Sequence, residues 1–341
     1  MTLKARFLKE SSPPFFLNCC NKSGRMDLKS CEKRHKGSGS MSRKVILPGG
    51  SGFLGQALAK DLVSRDYEVT VLTRGEEKTE EKVRYVRWDG RNLDDWVTEL
   101  EGAEAIVNFT GRSVNCLYTR KNREEIMNSR LDSVRALHHA LRQCQQPPKV
   151  FIQAGSLAIF GDTREECDEE APHGEGFSVE VCQRWEEAFF AENHPQTRQV
   201  LLRIGFVLGR DGGALEPLSK LARYGLGGKI GSGEQYISWI HLEDLNAMIR
   251  YALDHPLEGI YNATGPAPVT NESFMAALRK AMGKGWAPPA PAPLVRLGAV
   301  LVMRADPGLA LTGRNCIPKR FQEAGFHFRH TDLEETLREL V

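Results

Sequence analysis

No apolar run in this chain of 341 residues approaches the ~18 uninterrupted positions that a membrane span needs. The longest candidate, residues 294–303, is broken by Arg296 and reads as a core helix. No membrane partner is expected. The eight cysteines (19, 20, 31, 116, 144, 167, 182, 316) include no C-x-x-C spacing. Thiols scattered through a chain this long suggest a reducing compartment rather than a disulfide framework, and no zinc site is expected from them. His327 and His330 lie close in sequence but lack a companion carboxylate, so no metal site is expected. An excess of one charge is missing too, since 46 Lys and Arg face 44 Asp and Glu. That balance is uneven: residues 1–40 carry nine Lys/Arg and three Asp/Glu, so the rest of the chain is mildly acidic. An acidic body gives no footprint for nucleic acid. No internal repeat is visible.

What is present begins at residues 45–55, Val-Ile-Leu-Pro-Gly-Gly-Ser-Gly-Phe-Leu-Gly. Residues 45–47 suit a short buried parallel strand, and residues 53–64 a helix. Between them Gly49, Gly52 and Gly55 have the spacing G-x-x-G-x-x-G. One glycine makes the tight turn, one lets backbone approach a pyrophosphate, and one lets helix and strand pack closely. Phe53 and Leu54 open the helix, whose unpaired N–H groups and positive dipole end favour phosphate. A second strand, residues 69–72, ends in Thr73 and Arg74. An NAD site commonly has Asp or Glu there for the ribose 2′-hydroxyl, whereas a guanidinium pairs with a 2′-phosphate. The pattern therefore predicts NADP(H) over NAD, the alternative being a solvated Arg74 beside the acidic loop 76–82.

From Met41 onward, strand-like and helix-like segments alternate. Strands are predicted at 83–88, closing with Asp89, at 105–109, with Asn108 near its end and Gly111 beyond it, and at 150–153 and 199–204. Helices are predicted at 123–144 and 179–192. This is the pattern of an α/β fold with a doubly wound parallel sheet, whose strands' carboxyl ends share one ligand-binding edge. After Gly209 the texture changes to glycine-rich loops and short helices, with loop at 262–271, helix at 272–282 and a Pro-Ala linker at 287–293. The last helix is read as capped by a Thr331/Glu334 box. The expected organisation is a leader at 1–40, a dinucleotide-binding domain at 41–208 and a smaller α/β substrate lobe at 209–341, with interleaving of strands allowed. The leader reads as a disordered extension or a start-site artefact, with an organelle transit peptide as the alternative. Location is accordingly read as cytoplasmic, or an organelle matrix if the leader is a transit peptide.

Four stretches carry a family resemblance: residues 49–55, 107–111 (Val-Asn-Phe-Thr-Gly), 203–209 (Arg-Ile-Gly-Phe-Val-Leu-Gly) and 239–244 (Trp-Ile-His-Leu-Glu-Asp). They resemble the extended short-chain dehydrogenase/reductases, the NAD-dependent epimerase/dehydratase group. Ser129-Arg130, residues 184–186 and residues 317–326 narrow this to the atypical epimerase-like subfamily sometimes labelled cell-division-inhibitor homologues. The resemblance covers about residues 43–341. It implies an NADP-binding Rossmann domain in which Thr73 and Arg74 hold the 2′-phosphate. It also implies that Asp89 meets the adenine, that Phe109 and Thr110 lie along the cofactor, and that Glu125 and Arg130 approach it. A homodimer through helices 123–144 and 179–192 is a further implication.

The family's usual apparatus is a Ser with Tyr-x-x-x-Lys, in which Lys lowers the Tyr pKa for proton transfer. Seven tyrosines are present and none has Lys four residues on. Residues 176–184, where the pair should fall, contain neither type. Ser156 stands in the family's catalytic serine position, with a plain turn or cap hydroxyl as the alternative reading. Phe160, where relatives often have Tyr, has no proton to give. A substitute acid/base is sought at Glu180, His241 and Asp244, then at Tyr236 and Cys182. His241 titrates near neutrality, and its alternative is a hydrogen-bonded core histidine. Two functions follow: an NADP(H)-dependent oxidoreductase or epimerase for a small polar substrate with an altered proton relay, or a catalytically weakened NADPH-binding sensor or interaction module.

Overall fold

The β-branched and apolar runs of the first half are buried on both faces, which is why they read as continuous apolar stretches and not as alternating ones. The computed structural model describes residues 43–341 except Asp211; the expectations for residues 1–40 lie outside the described residues. Strands β1 (Lys44–Pro48), β2 (Glu68–Thr73), β3 (Lys78–Glu80), β4 (Val83–Arg87), β5 (Ala105–Asn108), β6 (Val150–Ser156), β7 (Arg198–Ile204) and, further on, β10 (Gly259–Ala263) form one sheet. Its order is β10-β7-β6-β5-β1-β2-β4-β3. Every pairing is parallel except that of β3 with β4, a hairpin at the edge.

Alternate residues of β1 serve opposite layers. Val45 and Leu47 pack with Leu58 and Leu62 of α1 (Phe53–Val63) and with Ile249 of α5 (Leu242–Asp254). Ile46 belongs to the other layer, with Val134 and Leu137 of α2 (Arg120–Leu141) and Phe189 of α3 (Phe177–Phe190). Both outer helices start earlier than their apolar spacing indicates. In α2 the reason is a cap: Thr119 accepts from the N–H of Asn122, so the polar residues Arg120–Asn122 are already helical.

Beyond β7, strand β8 (Phe206–Gly209) pairs with Gly212–Gly213 on one side and β9 (Trp239–His241) on the other. Leu215 of α4 (Leu215–Arg223), Phe274 and Leu278 of α6 (Asn271–Ala281) and Leu337 and Leu340 of α8 (Leu333–Leu340) close a third core over this small sheet. Residues 262 and 263, expected in a loop, instead finish β10.

Two expectations are corrected here. The cap of α8 is Asp332, which accepts from the N–H of Glu335, so the Thr331/Glu334 box lies one residue out of register. Residues 294–303 are not a core helix. Helix α7 (Ala292–Gly298) ends at Gly298 and the chain continues as a π-turn, Ala299–Met303. Leu294, Leu297 and Leu301 are more than half exposed. Apolar spacing reports a stripe and not what covers it. No helix among the described residues is long and apolar enough to cross a membrane.

Candidate active site

The turn after β1 is shaped by two glycines. Gly49 has φ +70°, and a Cβ there would lie 2.7 Å from the Thr110 Cα. Gly55 presses α1 on the turn so closely that a Cβ would stand 2.3 Å from the Gly50 Cα. Gly52 caps α1, and a Cβ at that position would meet nothing nearer than the Gly49 carbonyl oxygen at 4.0 Å. No acidic residue occupies the first turn of α1. The N–H groups of Phe53 and Leu54 thus sit at a positive helix end with open space in front, as an anion requires. The Leu54 side chain joins the core, while the Phe53 ring lies against Gly209, Gly212 and Gly213 of the small sheet.

At the end of β2 the Thr73 hydroxyl bonds the Ser51 hydroxyl (3.2 Å) and accepts from Gly75 N–H (3.2 Å), tying this edge to the glycine turn. Arg74 beside it is exposed and forms no ion pair among the described residues. Asn108 is fully buried at the end of β5: its amide donates to Gln153 (2.9 Å) and its oxygen accepts from Thr110 N–H (3.0 Å). That bond turns the chain at Phe109, itself packed on the core, and the Thr110 hydroxyl is buried without a partner among the described residues. An orphaned hydroxyl beside Gly49 fits a site whose missing acceptor belongs to a ligand.

Asp89 is spent locally. It accepts from the N–H groups of Arg91 and Asn92 and from the Asn92 amide (2.8, 2.8 and 2.6 Å). Partial burial opposes its charge, but these bonds hold its carboxyl below the usual range. On α2, Glu125 pairs with Arg112 and Lys121. Arg130 donates to the carbonyls of Arg112 (3.1 Å) and Ile126 (2.9 Å), stacks 5.0 Å from the Trp185 ring, and closes over Gly111. Burial pulls its pKa down.

Ser156 ends β6 and caps the short helical turn Leu157–Phe160, its Oγ accepting from Ala158 N–H at 3.2 Å. The cap uses a lone pair, so the hydroxyl proton stays available to a substrate oxygen. The other nominated groups stand apart. Glu180 is exposed on α3 in an ion pair with Arg184 (2.9 Å). His241 is buried as the cap of α5: Nδ1 accepts from Glu243 N–H (3.1 Å), and its ring lies 3.8 Å from that of His330. Burial first, then His330, lowers its pKa, and its charged neighbours are Glu243, Asp244 and Glu339. Asp244 accepts from the N–H groups of Arg329 and His330, clamping the C-terminal loop. Tyr236 pairs with Thr270 in a two-stranded bridge. Cys182 is buried and pushed up to about 12, chiefly by desolvation, which removes it as a thiolate.

One group escaped sequence reasoning. Tyr118, in the loop before α2, packs edge-on to Phe177 on the first turn of α3. Burial raises its pKa, and Arg130 lies close enough to oppose that rise. Arg314 belongs to the same cluster, donating to the Gly161 carbonyl (3.1 Å) and sensing both Cys182 and Tyr118. Neither Tyr118 nor Arg314 has a spacing signal, because their partners come from α3 and the turn after β6.

A parallel sheet of this order, with a glycine turn running into a helix at its carboxyl edge, defines a dinucleotide-binding Rossmann protein. The chain belongs to the NAD dependent epimerase/dehydratase family, whose model matches residues 45–264, and residues 290–340 match a domain of unknown function, DUF1731. It is 34% identical over 301 residues to an epimerase family protein of Mycobacterium leprae, covering 87% of this chain and 95% of that one. It is 32% identical over 304 residues to the human epimerase family protein SDR39U1, covering 87% of this chain and 99% of that one. The crystal structure of human SDR39U1 (isoform 2) with NADPH superposes with a TM-score of 0.78 at 30% identity, over 87% of this chain and 98% of that one. A UDP-glucose 4-epimerase from Thermus thermophilus in complex with NAD shares the fold, with a TM-score of 0.66 at 19% identity over 87% of this chain and 97% of that one.

Proposed function

We propose that this protein binds NADPH at the carboxyl edge of the sheet and acts as an oxidoreductase or epimerase on a small polar substrate through a relay lacking Tyr-x-x-x-Lys. The observation that carries the cofactor reading is Arg74, an exposed guanidinium with no ion pair among the described residues, beside the Thr73–Ser51 hydroxyl pair. The human relative solved with NADPH supports it. In this reading Phe53 and Leu54 N–H groups and Gly52 take the pyrophosphate, Arg74 and Thr73 the 2′-phosphate, and the Thr110 hydroxyl a cofactor oxygen. Asp89 reaches the adenine side only through the loop it shapes, since its carboxylate is already committed.

When bound, the nicotinamide supplies a transferable hydride, and the protein supplies geometry and proton control. Ser156 donates its proton to the substrate oxygen and orients it. Tyr118 is the proton donor in this reading: Arg130 opposes the rise in its pKa that burial causes, whereas Glu180 is paired in solvent and the neighbours of His241 belong to another cluster. Arg130 and Arg314 favour a substrate bearing an anionic or strongly dipolar group.

A second reading, an NADPH-binding sensor or interaction module of weakened activity, is favoured by α3, which offers neither Tyr nor Lys in its first two turns. A single-turnover experiment separates the two. NADPH-loaded protein is mixed with quinones, aldehydes and keto-sugars, and the reduced nicotinamide band is followed. Oxidation that Ser156→Ala and Tyr118→Phe both suppress supports the enzyme. Tight NADPH binding without turnover across the panel selects the module.

A further inference from the structure

Away from the carboxyl edge, two clusters bring imidazoles and a carboxylate together. They are His138, Glu192 and His194, and His241, Glu243 and His330, each with ligand atoms within 4.8 Å of one another. Hydrogen bonding decides between them. His241 Nδ1 accepts from Glu243 N–H, so in the neutral ring Nε2 holds the proton and offers a cation no lone pair.

His138 is arranged the other way round. Its Nε2 lies 3.1 Å from the carbonyl oxygen of Phe189, in the last turn of α3, where helix carbonyls lack an intrahelical partner. A carbonyl only accepts, so Nε2 carries the proton. The Nδ1 lone pair then faces His194 Nε2, 2.8 Å away. A ring N–H given to a carbonyl is the arrangement that fixes tautomer and orientation in metal-binding histidines.

We propose that His138 Nδ1, His194 Nε2 and one carboxylate oxygen of Glu192 form a site for a zinc-class divalent cation at the amino edge of the sheet, opposite the cofactor. Two imidazoles and a carboxylate, with water in the fourth position, make a tetrahedral set that suits Zn²⁺. On binding, His194 moves its proton from Nε2 to Nδ1, so the cation takes the place of the shared proton and none need be lost. With Zn–N bonds of about 2.05 Å at a tetrahedral angle, the two ring nitrogens must open from contact to about 3.3 Å. His138 is buried and the His194 side chain is 11% exposed, while Glu192 at 32% leaves a water path. Arg142 ion-pairs with Glu192 Oε2, the same oxygen that lies 4.0 Å from His194 Nε2, so the cation must compete with the guanidinium for it. A cation here ties the end of α2, which leads into β6, to the end of α3, which leads into β7.

The test is a Co²⁺ titration of the full chain followed by visible absorption, with thermal unfolding in the presence and absence of Zn²⁺. One equivalent of Co²⁺ should develop tetrahedral d–d bands, and Zn²⁺ at about a hundredfold excess over its Kd should raise the unfolding temperature by roughly 3–5 °C. His194→Ala should abolish both effects, Glu192→Gln should weaken Co²⁺ binding at least tenfold, and His330→Ala should leave both unchanged. Glu192 is at the surface, so Glu192→Gln reports on the site even where a histidine variant folds poorly. Absence of tetrahedral bands in the parent protein, their retention in His194→Ala, or undiminished affinity in Glu192→Gln overturns the proposal.

Discussion

Replacing Arg74 with Ala isolates the choice between phosphorylated and unphosphorylated dinucleotides. The guanidinium has no carboxylate partner among the described residues, so its removal breaks no ion pair and leaves no buried charge. The loss is then that of charge-assisted hydrogen bonds to a 2′-phosphate, about 1.5–3 kcal/mol. Each 1.4 kcal/mol is tenfold, so the NADPH dissociation constant should rise roughly 10- to 150-fold. NADH lacks the phosphate, and its affinity should change by less than about twofold. Because the side chain is exposed, added salt should shrink the NADPH preference of the parent protein and leave the variant nearly indifferent. Arg74→Lys should retain part of the preference, since an ammonium is a point charge without the planar fork. Isothermal titration of both nucleotides at two ionic strengths reads all of this. Equal losses for NADPH and NADH, or none for either, would refute the 2′-phosphate assignment.

Two further outcomes follow from the geometry. Gly55→Ala places a methyl 2.3 Å from the Gly50 backbone, which cannot swing away; we expect a stability loss of about 1–3 kcal/mol in chemical denaturation together with loss of nucleotide binding. A variant that keeps both would show that α1 does not press on the turn. The low pKa of His138, about 4, makes stability depend on acid. Between that value and the ~6.5 of an unfolded histidine, the unfolded chain binds a proton that the native one refuses, so stability is full above pH 6.5 and declines as pH falls towards 4. Denaturation series from pH 7 to 4 should show that slope, and His138→Phe, which keeps the aromatic packing on Phe151 and Phe189, should flatten it; an unchanged slope removes His138 as its source.

The parts of the fold legible in the sequence were those whose signal is local. The run from β1 through the glycine turn into α1 is readable because strand, turn and helix each have their own residue preferences at fixed offsets. The parallel strands were found because burial on both faces makes them apolar throughout. Helix starts were less visible where a polar stretch is helical only because a hydroxyl caps it, as at Thr119. Residues 294–303 misled because an uncovered apolar stripe and a covered one are written alike. At the site, Gly49, Gly52, Gly55, Thr73 and Arg74 are contiguous with the elements that place them. Tyr118 and Arg314 meet only through tertiary packing, and the His138–His194 pair spans 56 residues that no spacing rule connects. Asp89 follows from the resemblance and Glu180 and Asp244 from their place in the chain, neither of which reveals that their carboxylates are engaged nearby.

The sheet borrows its last strand from the second half of the chain, and this bears on how the protein is made. Strand β10 pairs residue by residue with β7, Gly259 against Val200 through Ala263 against Ile204. Asn262 at that edge is then fastened to the Ile317 carbonyl by its side chain and to Glu169 by its backbone. A ribosome that has delivered everything up to Gly209 has delivered the whole nucleotide cradle, yet the growing chain still presents the outer rim of β7 with its N–H and C=O groups unmatched, the kind of edge that recruits a neighbouring chain. That hazard persists for more than fifty further residues of synthesis, until residues 259–263 arrive. A fragment cut at the apparent end of the cradle would therefore leave this edge open.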